Sequence, residues 1–135
     1  MSQIVHFSES AMIALHSLTL IAQNAPHALS SKSMAQVLDA SENTIAKVMQ
    51  RMVKDNFVNS TRGPQGGFTL ARLPEKISLL SIFEAIEGDL QPLSCPFNRA
   101  ACPFTKCMFS QFSSAVTEQF KAEFGDITLD QYLKK

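Results

Sequence analysis

Cys95, Cys102 and Cys107 are the only cysteines of the chain, and they fall together in the run CPFNRAACPFTKC. Thiolates are soft ligands, and three of them this close in sequence suit a thiophilic metal ion or an iron–sulfur cluster. Two of the three precede proline, and Asn98, Arg99, Thr105 and Lys106 share the segment, so it is poor core material. The competing readings are buried thiols acting as small apolar side chains, or a disulfide with one thiol left over. No secretory signal opens the sequence, which leads us to expect a cytoplasmic, reducing compartment where structural disulfides are rare. Metal or cluster ligation is therefore the leading expectation, followed by a redox-active thiol pair.

The rest of the chain must position this loop. At 135 residues, 45% hydrophobic and 18% charged, it has the composition of one globular domain. The longest apolar run, residues 11–22, is broken by His16, Ser17 and Thr19, so no membrane span is expected. The histidines, His6, His16 and His27, all lie near the start with no matching nucleophile signature, which argues against an enzyme. Net charge is zero, but residues 31–76 hold seven cations (Lys32, Lys47, Arg51, Lys54, Arg62, Arg72, Lys76) against four acids (Asp39, Glu42, Asp55, Glu75). That local surplus is where an anionic partner would bind.

Inside the basic stretch, Ser41 is a suitable N-cap, and Ile45, Val48, Met49, Met52 and Val53 follow it at steps of three and four. This spacing predicts a helix with one buried stripe. Its opposite face carries Asn43, Lys47, Gln50 and Lys54, flanked by Thr44 and Arg51. All of these can donate hydrogen bonds and none is acidic, which suits base edges lying between two phosphate rails. A merely solvated helix would more often mix in glutamates for i, i+4 pairs. Residues 31–38 predict a short preceding helix, and Asp39-Ala40-Ser41 has the length of a helix-turn-helix turn. Residues 57–61 and 68–70 read as strands joined by Arg62-Gly63-Pro64-Gln65-Gly66-Gly67. Such a wing has a tip small enough for a minor groove, with Arg62 at its base to meet the negative potential there. No lysine followed by serine or threonine comes after the glycines, so a phosphate-cradling nucleotide loop is a weak alternative.

Ser8 predicts a first helix to about residue 23, with Ala11, Met12, Leu15, Leu18 and Ala22 inward. Ser78 predicts another, carrying Leu79, Ile82, Phe83 and Ile86 and stopped by Gly88. A long helix from about 108 to 124, closed by Gly125, displays Phe109, Phe112, Val116, Phe120 and Phe124. This is more aromatic surface than a small winged domain buries alone, so a homodimer is expected, with two recognition helices about one DNA turn apart. The fold class is thus mainly α with a small β-wing. Residues 1–76 form a winged helix-turn-helix DNA-binding region, and residues 77–135 a cluster-binding loop and dimerisation helix.

This order of elements resembles the Rrf2 superfamily of bacterial winged-helix transcriptional regulators, which includes iron–sulfur cluster-sensing repressors. The resemblance runs over nearly the whole chain and is carried by Leu38-Asp39-Ala40-Ser41, by residues 59–68 (NSTRGPQGGF) and by the three cysteines. It implies a dimeric repressor of a double-stranded DNA operator, controlled by a two-iron or four-iron cluster sensing redox state, nitric oxide or iron status. By the same resemblance Asn43, Thr44, Lys47 and Arg51 fall on the groove-reading helix, and Arg62, Gly63 and Pro64 on the wing. Glu9 falls where some cluster-binding relatives supply an acidic ligand from the first helix of the other subunit. A second ligand used by some two-iron relatives would fall at Ile13, which cannot ligate, and a specificity glutamate falls at Ala46. The spacing within the cysteine triplet also differs, the middle cysteine being displaced toward the third. Glu9 has a plain alternative role as a first-turn acid complementing the helix dipole, and His6 and His16 are other candidate ligands. A metal-free thiol switch would keep the DNA-reading half as described, whereas a small electron carrier would need neither recognition helix nor wing.

Overall fold

The computed structural model describes residues 5–92 and 102–133; Cys95 lies outside the described residues. The chain begins with α1 (Glu9–Gln23), whose Ser8 cap accepts a hydrogen bond from the Ala11 amide at 3.0 Å. Next, α2 (Ser31–Leu38) is capped by Ser30, and α3 (Glu42–Lys54) follows after a turn in which Asp39 adopts a left-handed φ of 50°. Ser41 stands at the expected cap position with extended backbone, yet its side chain makes no capping hydrogen bond. The first turn of α3 is closed instead by its carbonyl, which accepts from the Ile45 amide at 3.0 Å. Strands β1 (Val58–Thr61) and β2 (Gly67–Leu70) pair antiparallel, Val58 opposite Leu70 and Thr61 opposite Gly67. Helix α4 (Leu79–Glu87) is capped by Ser78 and ended by Gly88 at φ 87°, and α5 (Ser110–Asp126) follows the cysteine loop.

Among the described residues these elements match the winged helix-turn-helix architecture that the sequence predicts. The core lies where α1, α3 and α4 meet: Leu18, Ile21, Met34, Ile45, Met49, Met52 and Ile82 are almost wholly buried. Each such side chain contributes about 1.5–3 kcal/mol by leaving water. The α3 stripe is as expected, with Ile45, Val48, Met49 and Met52 buried and Val53 partly so.

Two helices differ from expectation. On α1, Ala11, Leu18 and Ala22 face inward, but Met12 is 41% exposed and Leu15 half-buried, while Ile13, Ala14, Ser17 and Ile21 are buried. The small side chains of Ala14 and Ser17 allow α3 and α4 to approach this face closely, and the stripe turns toward them. Helix α5 begins at Ser110 and passes through Gly125 rather than stopping there. Its end at Asp126 is set by backbone pairing. The Leu79 amide donates to Ile127 O and the Leu129 amide to Ile77 O, each at 2.9 Å, which buries Leu129 completely in the core.

The wing is anchored at both ends. Leu29 and Phe68 exchange two backbone hydrogen bonds at 3.0 and 2.9 Å, joining β2 to the chain just before α2. Gly67 makes this approach possible: a Cβ there would stand 2.6 Å from the Leu29 backbone. At the other end the Ala71 amide donates to Phe57 O at 2.9 Å.

Candidate functional site

The first candidate surface is built by α3 and the wing. Burying the Ile45/Met49/Met52 stripe turns the remaining face of α3 outward, so Asn43, Lys47, Gln50, Arg51 and Lys54 are exposed and Thr44 is half-exposed. Arg51 lies 3.8 Å from Asp55 one turn on, an exposed pair that leaves its fork available to a stronger anion. At the wing tip Arg62, Gly63 and Pro64 are all exposed, and the turn is closed by the Gly66 amide donating to Gly63 O at 2.9 Å. The structure thus brings a cation- and amide-bearing helix and a narrow basic loop onto one rigidly tied unit. Both are acid-poor and open to solvent.

One member of the basic surplus is already engaged. Arg72 donates from Nε to Asn56 O at 3.1 Å and from Nη2 to Asp55 O at 2.9 Å, and its guanidinium stands 4.3 Å from the Phe57 ring centroid. Nothing in the local sequence signals this contact, because its acceptors are backbone carbonyls 16 and 17 residues away.

The second surface is the thiol loop. Its entry is held by the chain just past α4. Leu90 N donates to Glu84, and Lys121 on α5 bonds Asp89 at 3.1 Å. Glu84 first, then Lys121, hold the Asp89 carboxyl below the ordinary range. At its exit, Cys107 Sγ accepts hydrogen bonds from the amides of Phe109 at 3.4 Å and Ser110 at 3.3 Å. These two bonds, Phe109 foremost, lower the Cys107 thiol pKa from its ordinary value. The sulfur thus accepts the amides of the cap residue and first residue of α5, which starts two residues later than its apolar spacing suggests. Cys102 and Cys107 are both exposed free thiols. Cys107 lines an open groove with Lys106, Met108, Gln111, Phe112 and Ala115. Among the described residues no three histidine, cysteine or acidic side chains converge in metal-binding geometry, and Cys95 is not among those residues.

Glu9 lies exposed in the first turn of α1, in a groove with Met12, Ile13, His16, Leu38, Asp39 and Ala40. Within one chain it therefore faces the helix-turn-helix turn, in a groove different from the one that Cys107 lines with Lys106 and Phe112. Ser8, the adjacent cap, donates to the Glu87 carboxylate at the end of α4. Phe7 packs on Phe83, Phe120 and Phe124 at 5.2–6.0 Å between ring centroids, so the start of α1 is fixed to both helices that flank the thiol loop.

Comparison with known proteins places this geometry in context. The profile of the Rrf2 family, described as an iron-dependent transcriptional regulator, matches residues 7–135. The transcriptional regulator NsrR of Shouchella clausii is 32% identical over 87 residues, which is 64% of this chain and 58% of that protein. IscR of Xenorhabdus nematophila is 23% identical over 124 residues, covering 92% of this chain and 74% of the relative. The first relatives matched are covered over little more than half of their own length, 58% and 54%. Among solved structures, CymR, the global cysteine regulator of Bacillus subtilis, superposes with a TM-score of 0.76 at 23% identity, covering 94% of this chain and 95% of CymR. At that identity the likeness shows the fold. Among the described residues no helix is long and apolar enough to cross a membrane.

Proposed function

The chain belongs to the Rrf2 family of helix-turn-helix transcriptional regulators, and on that premise we propose that it is a dimeric, operator-binding repressor whose DNA affinity is set by an iron–sulfur cluster. The reading half is the region 1–76. Asn43, Thr44, Lys47 and Arg51 address a major groove from α3, and Arg62, Gly63 and Pro64 address the adjoining minor groove. The sensing half is 77–135. Cys95, Cys102 and Cys107 supply three thiolates, and Glu9 of a second copy supplies the oxygen ligand.

The observation that carries this reading is the Cys107 sulfur, exposed and accepting two backbone amides that favour its anion. A thiolate is the form that ligates iron, and amide hydrogen bonds to sulfur are a recognised means of tuning such a site. The donor set fits a two-iron or four-iron cluster, which when bound would supply an iron centre reactive toward oxygen and nitric oxide. The chain's own part is to present the exposed Cys102 and Cys107 sulfurs before α5 and a carboxylate from an element fixed beside the helix-turn-helix turn. The exposed Phe104, Met108, Phe109 and Phe112 support a homodimer formed across α5.

Iron and sulfide counting on anaerobically purified protein tests this reading directly. We expect a coloured protein with stoichiometric acid-labile sulfide, lost in Cys107→Ala without unfolding. A Cys102→Ala variant that keeps full iron content would refute the three-thiolate site.

A metal-free thiol switch is the second reading, favoured by the same lowered Cys107 pKa and by the exposure of Cys102. Pairing the two would release two protons and two electrons to an oxidant and would yield a colourless, iron-free protein that still binds DNA.

A further inference from the structure

The bonds made by Arg72 bear on how the wing and the recognition helix act together. Arg72 lies two residues past β2, at the point where the wing returns to the body of the protein. Its two donors reach Asp55 O and Asn56 O, at the C-cap of α3 and the residue after it, where carbonyl groups lack helical partners and the helix dipole is negative. Asn56 there adopts a left-handed φ of 64°, which turns the chain sharply from α3 into β1. The guanidinium also covers the ring of Phe57, which is 4% exposed and packed in the core.

We propose that Arg72 is a positioning residue that fixes the wing at a set angle to the recognition helix, and that its charge is not used to bind phosphate. The inference rests on the DNA-binding reading above. Three contacts commit the planar fork: two carbonyls and one ring face. The opposite end of β2 is held by the Leu29–Phe68 backbone pair, so the wing is tied on one side to the entry of α2 and on the other to the exit of α3. Removing the Arg72 bonds loosens the second attachment only, leaving there the Ala71 N–Phe57 O backbone bond. The angle of the wing to α3 is then set less sharply, and its tip seats less well in the minor groove while α3 lies in the major groove. Discrimination between DNA sequences is reduced, whereas on DNA of unrelated sequence, where the wing tip is not seated in a matched minor groove, the number of phosphates neutralised stays the same.

Arginine and lysine separate this role from an ordinary phosphate contact. Lysine keeps the charge but cannot form a two-pronged bond to adjacent carbonyls or stack as a plane on Phe57. Arg72→Lys and Arg72→Gln would be compared with the wild-type chain on a duplex selected by the wild-type protein from a randomised pool and on a scrambled duplex. Affinities would be measured across a salt series, with hydroxyl-radical footprinting of both grooves. Both variants are expected to lose about tenfold in affinity for the selected duplex, the scale of one mismatched base pair. Both should also lose the wing's minor-groove protection while keeping wild-type affinity and salt dependence on the scrambled duplex.

The proposal is overturned if Lys restores wild-type behaviour while Gln lowers the salt slope by roughly one unit on both duplexes, because that is the signature of a phosphate contact. It is equally overturned if both variants keep wild-type discrimination and differ only in melting temperature. A wild-type chain that selects no duplex overturns the DNA-binding reading itself and this inference with it, an outcome distinct from the other two.

Discussion

Between α1 and α4 the interior is filled. Leu18, Met34, Ile45, Met49, Met52 and Ile82 have no exposed surface, and each end of the wing is bonded to backbone beside a helix, at Leu29 before α2 and at Phe57 after α3. At the start of α5 the arrangement is reversed: Phe104, Met108, Phe109 and Phe112 are 44–69% exposed, and Ser113 is the one buried residue among the described residues of that helix. The head proposed to read DNA has its shape built in by its own packing. In the described part of the thiol loop the Cys107 sulfur accepts two backbone amides, and Phe104 and Met108 beside it are exposed. A reader of DNA needs fixed geometry, because base edges are discriminated by hydrogen bonds at set positions. A sensor needs a part whose geometry depends on what is bound to it.

The largest expected effect follows from that contrast. Met49→Ala in the head should cost about 2–5 kcal/mol by leaving a cavity under the recognition helix, whereas Phe112→Ala on the open face should change monomer stability by no more than about 0.5 kcal/mol. Urea unfolding of both variants at a concentration that favours monomers checks this. A comparable loss at Phe112 would mean that α5 is packed as tightly as the head. Sedimentation of the same Phe112 variant should show a weakened dimer.

Much of the head is legible in the sequence because its signals are local. Ser8 and Ser78 each cap a helix three residues before the amide they accept from, Gly88 ends α4, and the α3 stripe recurs at steps of three and four. What could not be read depends on residues far apart in sequence. The inward turn of α1 toward Ala14 and Ser17 is set by two other helices. Leu129 enters the core through pairing of 127–129 with 77–79. Arg72 binds carbonyls, which carry no side-chain signature. Cys107 is readable from the sequence as a candidate ligand, but not as the sulfur that accepts the amides at the start of α5, because a thiol in that position looks like any other cysteine of the loop.

Smaller effects sharpen the division. Lys47→Ala and Arg62→Ala should each reduce the slope of log affinity against log salt by roughly one unit and leave folding unchanged, since both side chains are exposed. Wild-type salt dependence in either variant would remove that residue from the interface.

Glu9→Ala separates two roles. As a first-turn acid on α1 its loss should cost only about 0.3–1 kcal/mol, and as a ligand from the partner chain it should also make bound iron more labile to chelators. Unchanged lability would return Glu9 to the head alone.

The smallest effect lies at Cys107. Its thiol pKa is lowered in the folded chain, so its contribution to stability is present above the unfolded thiol pKa and fades as pH falls through the lower folded value. In metal-free protein with Cys95 and Cys102 replaced by alanine, the pH midpoint for alkylation should be lower in the native chain than in urea. Coincident midpoints would show that the Phe109 and Ser110 amides do not act on the sulfur.

The link between the two regions is tested most directly by operator binding of one anaerobic preparation, divided into a cluster-loaded and a chelator-stripped half and titrated against a duplex selected by the loaded protein, with iron counted in each. Control by the cluster predicts an affinity change of at least about tenfold, equivalent to roughly 1.4 kcal/mol of coupling, with the head folded in both halves. Equal affinity in the loaded and stripped halves would contradict it.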